Sequence, residues 1–250
     1  MKYNLYARAS FLLIYKDAIM NIAWFLAEFI GTFTLIFIGA GSVCLNEMIP
    51  NSLGIVGIAF AHGLAIAVMI SAIGHISGGK LNPAVTLGLL IGGKVDRKAT
   101  IYEIIAQLSG AVLGALCLKL IFPVAVTQAT HLGTPELGQG ISVGIGIFTE
   151  AILSFFLVFT VYGTAVDPRG TFRSVAGFGI GCAIIFAILG FAGITGVAIN
   201  PARAFGPALV SGYWSHHYIY WIGPIIGGLC AGLLYSKLML KEPRENAKTV

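Results

Sequence analysis

Six long apolar stretches follow one another along this chain, separated by short polar segments. They cover about residues 22–44, 53–75, 101–122, 143–166, 174–193 and 217–239. Each is near the ~20 residues that a helix needs to cross a bilayer. Two further apolar runs are about half that length: Asn82 to Gly92, after the second stretch, and Asn200 to Ser211, after the fifth. A half-length apolar helix behind a Gly-rich break is the mark of a re-entrant segment. Such a segment is tolerated at membrane depth only where it is buried in protein or lines a cavity. The order is therefore three spans with one half-span, and then the same again. Three spans per repeat is an odd number, so the second repeat must lie inverted in the membrane.

The half-spans open with related sequence. His75-Ile-Ser-Gly-Gly-Lys-Leu-Asn82-Pro83-Ala84 returns as Gly193-Ile-Thr-Gly-Val-Ala-Ile-Asn200-Pro201-Ala202, with the two asparagines 118 positions apart (200 − 82). Asn is a good N-cap, and Pro suits the first helical position, where its missing N–H costs nothing. Each copy thus predicts a loop that starts a short helix at its Asn. The repeat extends further. Ala27-Glu28 in the first span corresponds to Thr149-Glu150 in the fourth, and Gly63 and Gly181 each precede their Asn by 19 positions. Small residues at those two places predict a close crossing of the second and fifth spans.

Composition supports a bilayer as solvent. Hydrophobic residues make up 57% and charged residues 10% of the 250, against roughly 45–50% and about 25% in soluble domains. The net charge of +5 is dispersed over the ends and short loops, with none of the clustering on a folded face that a nucleic-acid partner requires. Cys44, Cys117, Cys182 and Cys230 lie in or beside apolar segments with no paired spacing, so they are expected to be small buried hydrophobes without metal or disulfide chemistry. Lys and Arg concentrate in the N-terminal segment, in the loops after the second and fourth spans and at the C-terminus, which places both termini in the cytoplasm. The expected organisation is a cytoplasmic lead-in over 1–21, a membrane domain over 22–240 (repeats of about 22–122 and 143–240) and a cytoplasmic tail over 241–250. The membrane expected on this reading is the cell membrane, plasma or inner.

With that topology the two half-helices enter from opposite sides and their N-termini meet near the midplane. Two positive dipole ends then converge on one point. A cation is repelled there, and a neutral molecule that accepts a hydrogen bond is welcome. The approaches present backbone carbonyls, of Gly78, Gly79 and Lys80 and of Gly196, Val197 and Ala198, as acceptors along a lumen. This is pore chemistry.

The two Asn-Pro-Ala motifs, the His-Ile-Ser-Gly lead-in, Ala27-Glu28-Phe-Ile-Gly-Thr, Asn200-Pro-Ala-Arg-Ala-Phe-Gly-Pro207 and Gly223-Pro224 together resemble the aquaporin (major intrinsic protein) family over roughly residues 22–240. The resemblance implies an all-α membrane protein with six transmembrane helices, two re-entrant half-helices and inverted three-span repeats. It implies a passive water channel without cofactor that excludes protons and ions, with one pore per subunit of a homotetramer in the bilayer. It also implies that Arg203 belongs to an outer constriction, whose other positions map by spacing to His62, Ile188 and Val197. Glycerol channels of the family typically carry Trp in place of His62 and Asp after the Arg, where this chain has Ala204. His with Ile resembles plant tonoplast-type aquaporins, some of which pass ammonia as well as water. Val197 departs from the smaller residue usual there and is expected to narrow the pore.

Other polar residues have competing readings. His131, in the loop after the third span, either is an exposed loop residue or reaches the outer pore mouth, as a loop His does in tonoplast-type proteins. His75 is expected to line the cytoplasmic vestibule. Glu28 and Glu150 either couple protons, as in a transporter, or accept N–H groups of the re-entrant loops, and their symmetric placement favours the second. The alternatives to a water channel are a facilitator of glycerol or other small neutral solutes and an inverted-repeat secondary transporter. No nucleophile–base pair or metal cluster suggests an enzyme.

Overall fold

The computed structural model describes residues 22–170 and 175–240. The lead-in over 1–21, the tail over 241–250 and Arg173, one of the basic residues of the loop after the fourth span, lie outside the described residues. Besides a short 3-10 helix at His131–Gly133, nine helices are described: α1 (Ile22–Met48), α2 (Gly54–Ser77), α3 (Pro83–Ile91), α4 (Arg97–Ile121), α5 (Val124–Ala129), α6 (Val143–Val166), α7 (Ala176–Thr195), α8 (Pro201–Ser211) and α9 (Ile219–Met239). Six of them (α1, α2, α4, α6, α7 and α9) are long and apolar enough to cross a membrane, and α3 and α8 are the half-length helices. Large apolar side chains such as Phe148, Phe178 and Leu120 point outward, which fits a lipid-facing surface.

Capping sets boundaries that hydropathy misses. Asp96 Oδ1 accepts from the Lys98 and Ala99 N–H groups, so α4 begins at Arg97, a turn ahead of its apolar stretch. Asn46 Oδ1 accepts from Leu53 and Gly54 and ties the end of α1 to the start of α2. Both half-helices start as expected. Asn82 and Asn200 are extended N-caps with Pro at the first helical position, and their side chains accept from Ala84 and from Ala202 and Arg203.

The repeats interlock. Each half-helix packs chiefly on the last span of the opposite repeat, α3 on α9 and α8 on α4. The α2–α7 crossing lies at the predicted glycines: a Cβ on Gly63 or Gly181 would run into the other's backbone carbonyl. A Cβ on Gly88, in α3, would meet the Gly228 carbonyl of α9 at 2.7 Å. Cysteine burial is less uniform than expected. Cys44 is buried, Cys117 and Cys182 are half-buried and Cys230 is exposed on the outer face of α9, where lipid rather than protein serves as its apolar solvent.

Candidate functional site

The two Gly-rich approaches have the same backbone shape. Both α2 and α7 end at a left-handed glycine, Gly78 (φ 90°) and Gly196 (φ 71°). Left-handed backbone recurs at Gly79 and Leu81 in the first copy (φ 60° and 53°) and at Val197 and Ile199 in the second (φ 46° and 44°). Non-Gly residues, and β-branched ones above all, avoid this region, so something must hold Leu81, Val197 and Ile199 there. The buried glutamates do. Glu28 accepts from the backbone N–H groups of Lys80 (3.0 Å) and Leu81 (2.7 Å), from the Ser77 hydroxyl (2.7 Å) and from the Gln107 amide (2.8 Å). Glu150 accepts from the backbone of Ala198 (2.9 Å) and Ile199 (2.6 Å) and from the Thr195 hydroxyl (2.7 Å). Both side chains are fully buried. With their oxygens committed to loop donors, they are struts of the approaches.

The half-helices meet N-terminus to N-terminus. The Asn82 side-chain amide donates to the Ile199 carbonyl (2.8 Å), and the Asn200 amide donates to the Leu81 carbonyl (2.9 Å). Each motif is therefore clamped to the carbonyl that precedes the other motif's Asn. The amides are not wholly free for the lumen, but each –NH₂ retains a second N–H.

A cavity of about 530 Å³ passes both asparagines. Trp24, Lys94 and Asp96 line its inner part, and Gly78, Gly79, Lys80, Val197, Ala198 and Ile199 contribute lining from the two approaches. Gly196 does not line it: its missing Cβ makes room instead for Pro135 and the Glu136 N–H. His62, Ile188, Val197 and Arg203 all border the same cavity and are all buried. Arg203 donates from Nη1 to the Gly133 carbonyl (2.6 Å), and its Nη2 lies 3.3 Å from His62 Nε2. His62 Nδ1 lies 2.9 Å from the Ile58 carbonyl, which can only accept. Nδ1 thus carries the proton, and Nε2 presents a lone pair to Arg203. Arg203 Nε is buried and has no partner among the described residues. Gly39 leaves the space that the His62 ring occupies, since a Cβ there would meet the ring at 2.6 Å.

The structure places two histidines elsewhere. The His131 ring stacks on Tyr213 at 3.8 Å, with Glu136 3.6 Å away, and only its turn reaches Arg203, through the Gly133 carbonyl. His75 is exposed and outside the cavity lining. Sequence reasoning passed over Ser77 and Thr195, although both stand five residues before their Asn and a comparison of the repeats finds them. It passed over Gln107 and Gly133, which have no counterpart in the motif. It credited Lys80 with a backbone carbonyl only and omitted Glu103 from the acids inside spans, yet these two form a buried ion pair at 2.7 Å.

The family model described as Major intrinsic protein matches residues 17–235. The chain belongs to the major intrinsic protein family. Aquaporin TIP4-4 of Zea mays is 42% identical over 227 residues, covering 87% of this chain and 86% of the relative. Aquaporin TIP4-1 of Arabidopsis thaliana is 44% identical over 226 residues, with 87% and 86% covered. The structure is similar to that of the aquaglyceroporin from Plasmodium falciparum, with a TM-score of 0.75 and 26% identity over 87% of this chain and 96% of that one. This aquaporin is a multi-pass membrane protein and a water channel of tonoplast-type likeness, and its family is one of channels.

Proposed function

We propose that water crosses this aquaporin in single file, past the acceptor carbonyls of the approaches and the two Asn amides. The filter is the constriction of His62, Ile188, Val197 and Arg203. The observation that carries this reading is that all four residues and both asparagines border one continuous cavity. The guanidinium of Arg203 opposes cations at the constriction, and the two helix N-termini oppose them where the asparagines meet. Ammonia is the second permeant. It is neutral, close to water in size and a hydrogen-bond acceptor, and Ile188 and Val197 give it apolar walls that need no hydrogen bonds in exchange. Glycerol is excluded by width, because Val197 places a branched side chain where a smaller residue would leave room. The engagement of Glu150 by three donors of its approach, and of Glu28 by three of its own and by Gln107 on α4, speaks against proton coupling. The TIP names of the relatives favour a vacuolar membrane over the cell membrane expected from the sequence, and the family resemblance supports a homotetramer.

The test is stopped-flow light scattering on proteoliposomes, first under a sucrose gradient and then under a glycerol gradient, followed by an ammonia-driven change of internal pH. Fast shrinkage with a low activation energy, no accelerated glycerol reswelling and faster alkalinisation than in empty vesicles are the expected results. Rapid glycerol reswelling would overturn the narrow-filter reading, and alkalinisation no faster than in empty vesicles would overturn the ammonia reading.

A further inference from the structure

The inner part of the cavity holds a buried charge pair that the water path does not require. Lys80 ends the approach to Asn82, and its side chain folds back. Its Nζ lies 2.7 Å from Glu103 Oε1, 2.5 Å from the Ser77 carbonyl and 5.8 Å from the centre of the Trp24 ring. The two side chains are only 7% and 2% exposed. Lys80, Glu103, Ser77 and Trp24 all line the cavity. Glu103 Oε2 is buried and has no donor among the described residues, so the carboxylate has acceptor capacity that Lys80 does not use.

A carboxylate, a carbonyl oxygen and an aromatic face are the groups that hold a primary ammonium ion. Here the ammonium is the chain's own. We propose that Lys80 is a specificity-determining residue of the inner mouth, a tethered ammonium that fills this site and so keeps free ammonium ions from lodging in the water path. Removing Lys80 leaves Glu103 as an uncompensated buried charge, which is costly until a cation or a proton replaces the lost one. Lys94 and Asp96 also line this end of the cavity and offset one another in sign, while Glu28 is occupied by its four donors. A small cation that enters the vacated site cannot proceed past the helix N-termini and Arg203. It stays and obstructs the file of water.

The probe is methylammonium chloride, equal on both sides of proteoliposomes at a mildly alkaline pH where the amine is protonated, with choline chloride, whose trimethylated ammonium is too bulky for the site, as control. Each variant's osmotic water permeability is compared with its own value in choline. Lys80→Ala is expected to lose about half its permeability when methylammonium equals the site's Kd, and more above it. The native channel and the double variant Lys80→Ala/Glu103→Gln are expected to keep a ratio of about one, since neither has the vacant carboxylate. Lys80→Met, closer in volume, repeats the test should the alanine variant fold poorly. Calorimetric titration of the detergent-solubilised variants with methylammonium reads the same site without water flow, so a failure of the water assay is separable from a failure of the site. An unchanged ratio and no binding heat in folded Lys80→Ala or Lys80→Met overturn the proposal, as does a block that survives in the double variant.

Discussion

Arg203 combines three constraints at the scale of a single residue. It is buried, it donates to the Gly133 carbonyl and it faces a lone pair on His62. A substitution to a small apolar residue therefore removes both its charge and its bulk from the constriction. Arg203→Val is expected to loosen the exclusion of larger or charged solutes while water still flows, read as glycerol and ion flux in proteoliposomes. Unchanged solute selectivity would count against the filter. Val197 differs in kind. Its φ of 46° costs a β-branched residue about 1–2 kcal/mol relative to right-handed backbone, and its side chain borders the cavity. Val197→Gly accepts the same backbone without strain and clears the wall. It is expected to admit glycerol or urea while keeping Arg203 in place, and a glycerol flux still at the level of empty vesicles would refute the width argument.

The unit that matters among the elements is an approach loop together with the helix that braces it. Glu150, on α6, satisfies three donors of the loop before Asn200 and so holds Val197 and Ile199 in a conformation they avoid on their own. Each buried donor left without an acceptor costs about 1–3 kcal/mol. Glu150→Ala is therefore expected to destabilise the protein by several such increments, and to impair water flow as the loop relaxes. Thermal unfolding in detergent measures the first and stopped-flow scattering the second. A proton-coupling role would instead leave stability near native and abolish ion-dependent uptake.

Across the whole molecule, the loop after α6 is tied to α9. Arg169 bonds Asp167 from its side chain and its backbone N–H, and donates to the Met239 carbonyl (2.6 Å), while the Tyr235 hydroxyl donates to Asp167 (3.2 Å). The hydrogen bonds from Arg169 hold the Asp167 carboxyl well below the usual carboxylate range. A depressed carboxylate stabilises the fold above its unfolded value of ~3.9, and the contribution is lost as pH falls below that value toward the native one. Thermal stability should therefore be insensitive to this group from neutrality down to about pH 4 and decline below it. Asp167→Asn should start lower at neutral pH and show a shallower acid decline. An identical acid profile in the variant would show that the tie carries no stability.

Much of this molecule is written in one dimension. Hydropathy determined six spans and two half-spans, because lipid demands length and apolarity from every crossing helix. The duplicated Asn-Pro-Ala motif determined where the half-helices begin, because an N-cap and a first-turn proline act locally. The family resemblance, mapped onto this chain by spacing from each Asn, picked out His62, Ile188, Val197 and Arg203, which the fold does bring to one cavity. What only the tertiary structure decided are contacts between groups far apart in the chain. Each Asn amide reaches the carbonyl before the other motif, Gln107 on α4 braces Glu28, Gly133 supplies a carbonyl to Arg203, and Lys80 meets Glu103. Local propensity carries no trace of such pairings. They arise because packing in lipid buries polar groups beside whatever partners the inverted repeat presents, and a buried donor or acceptor must then find its complement across the fold.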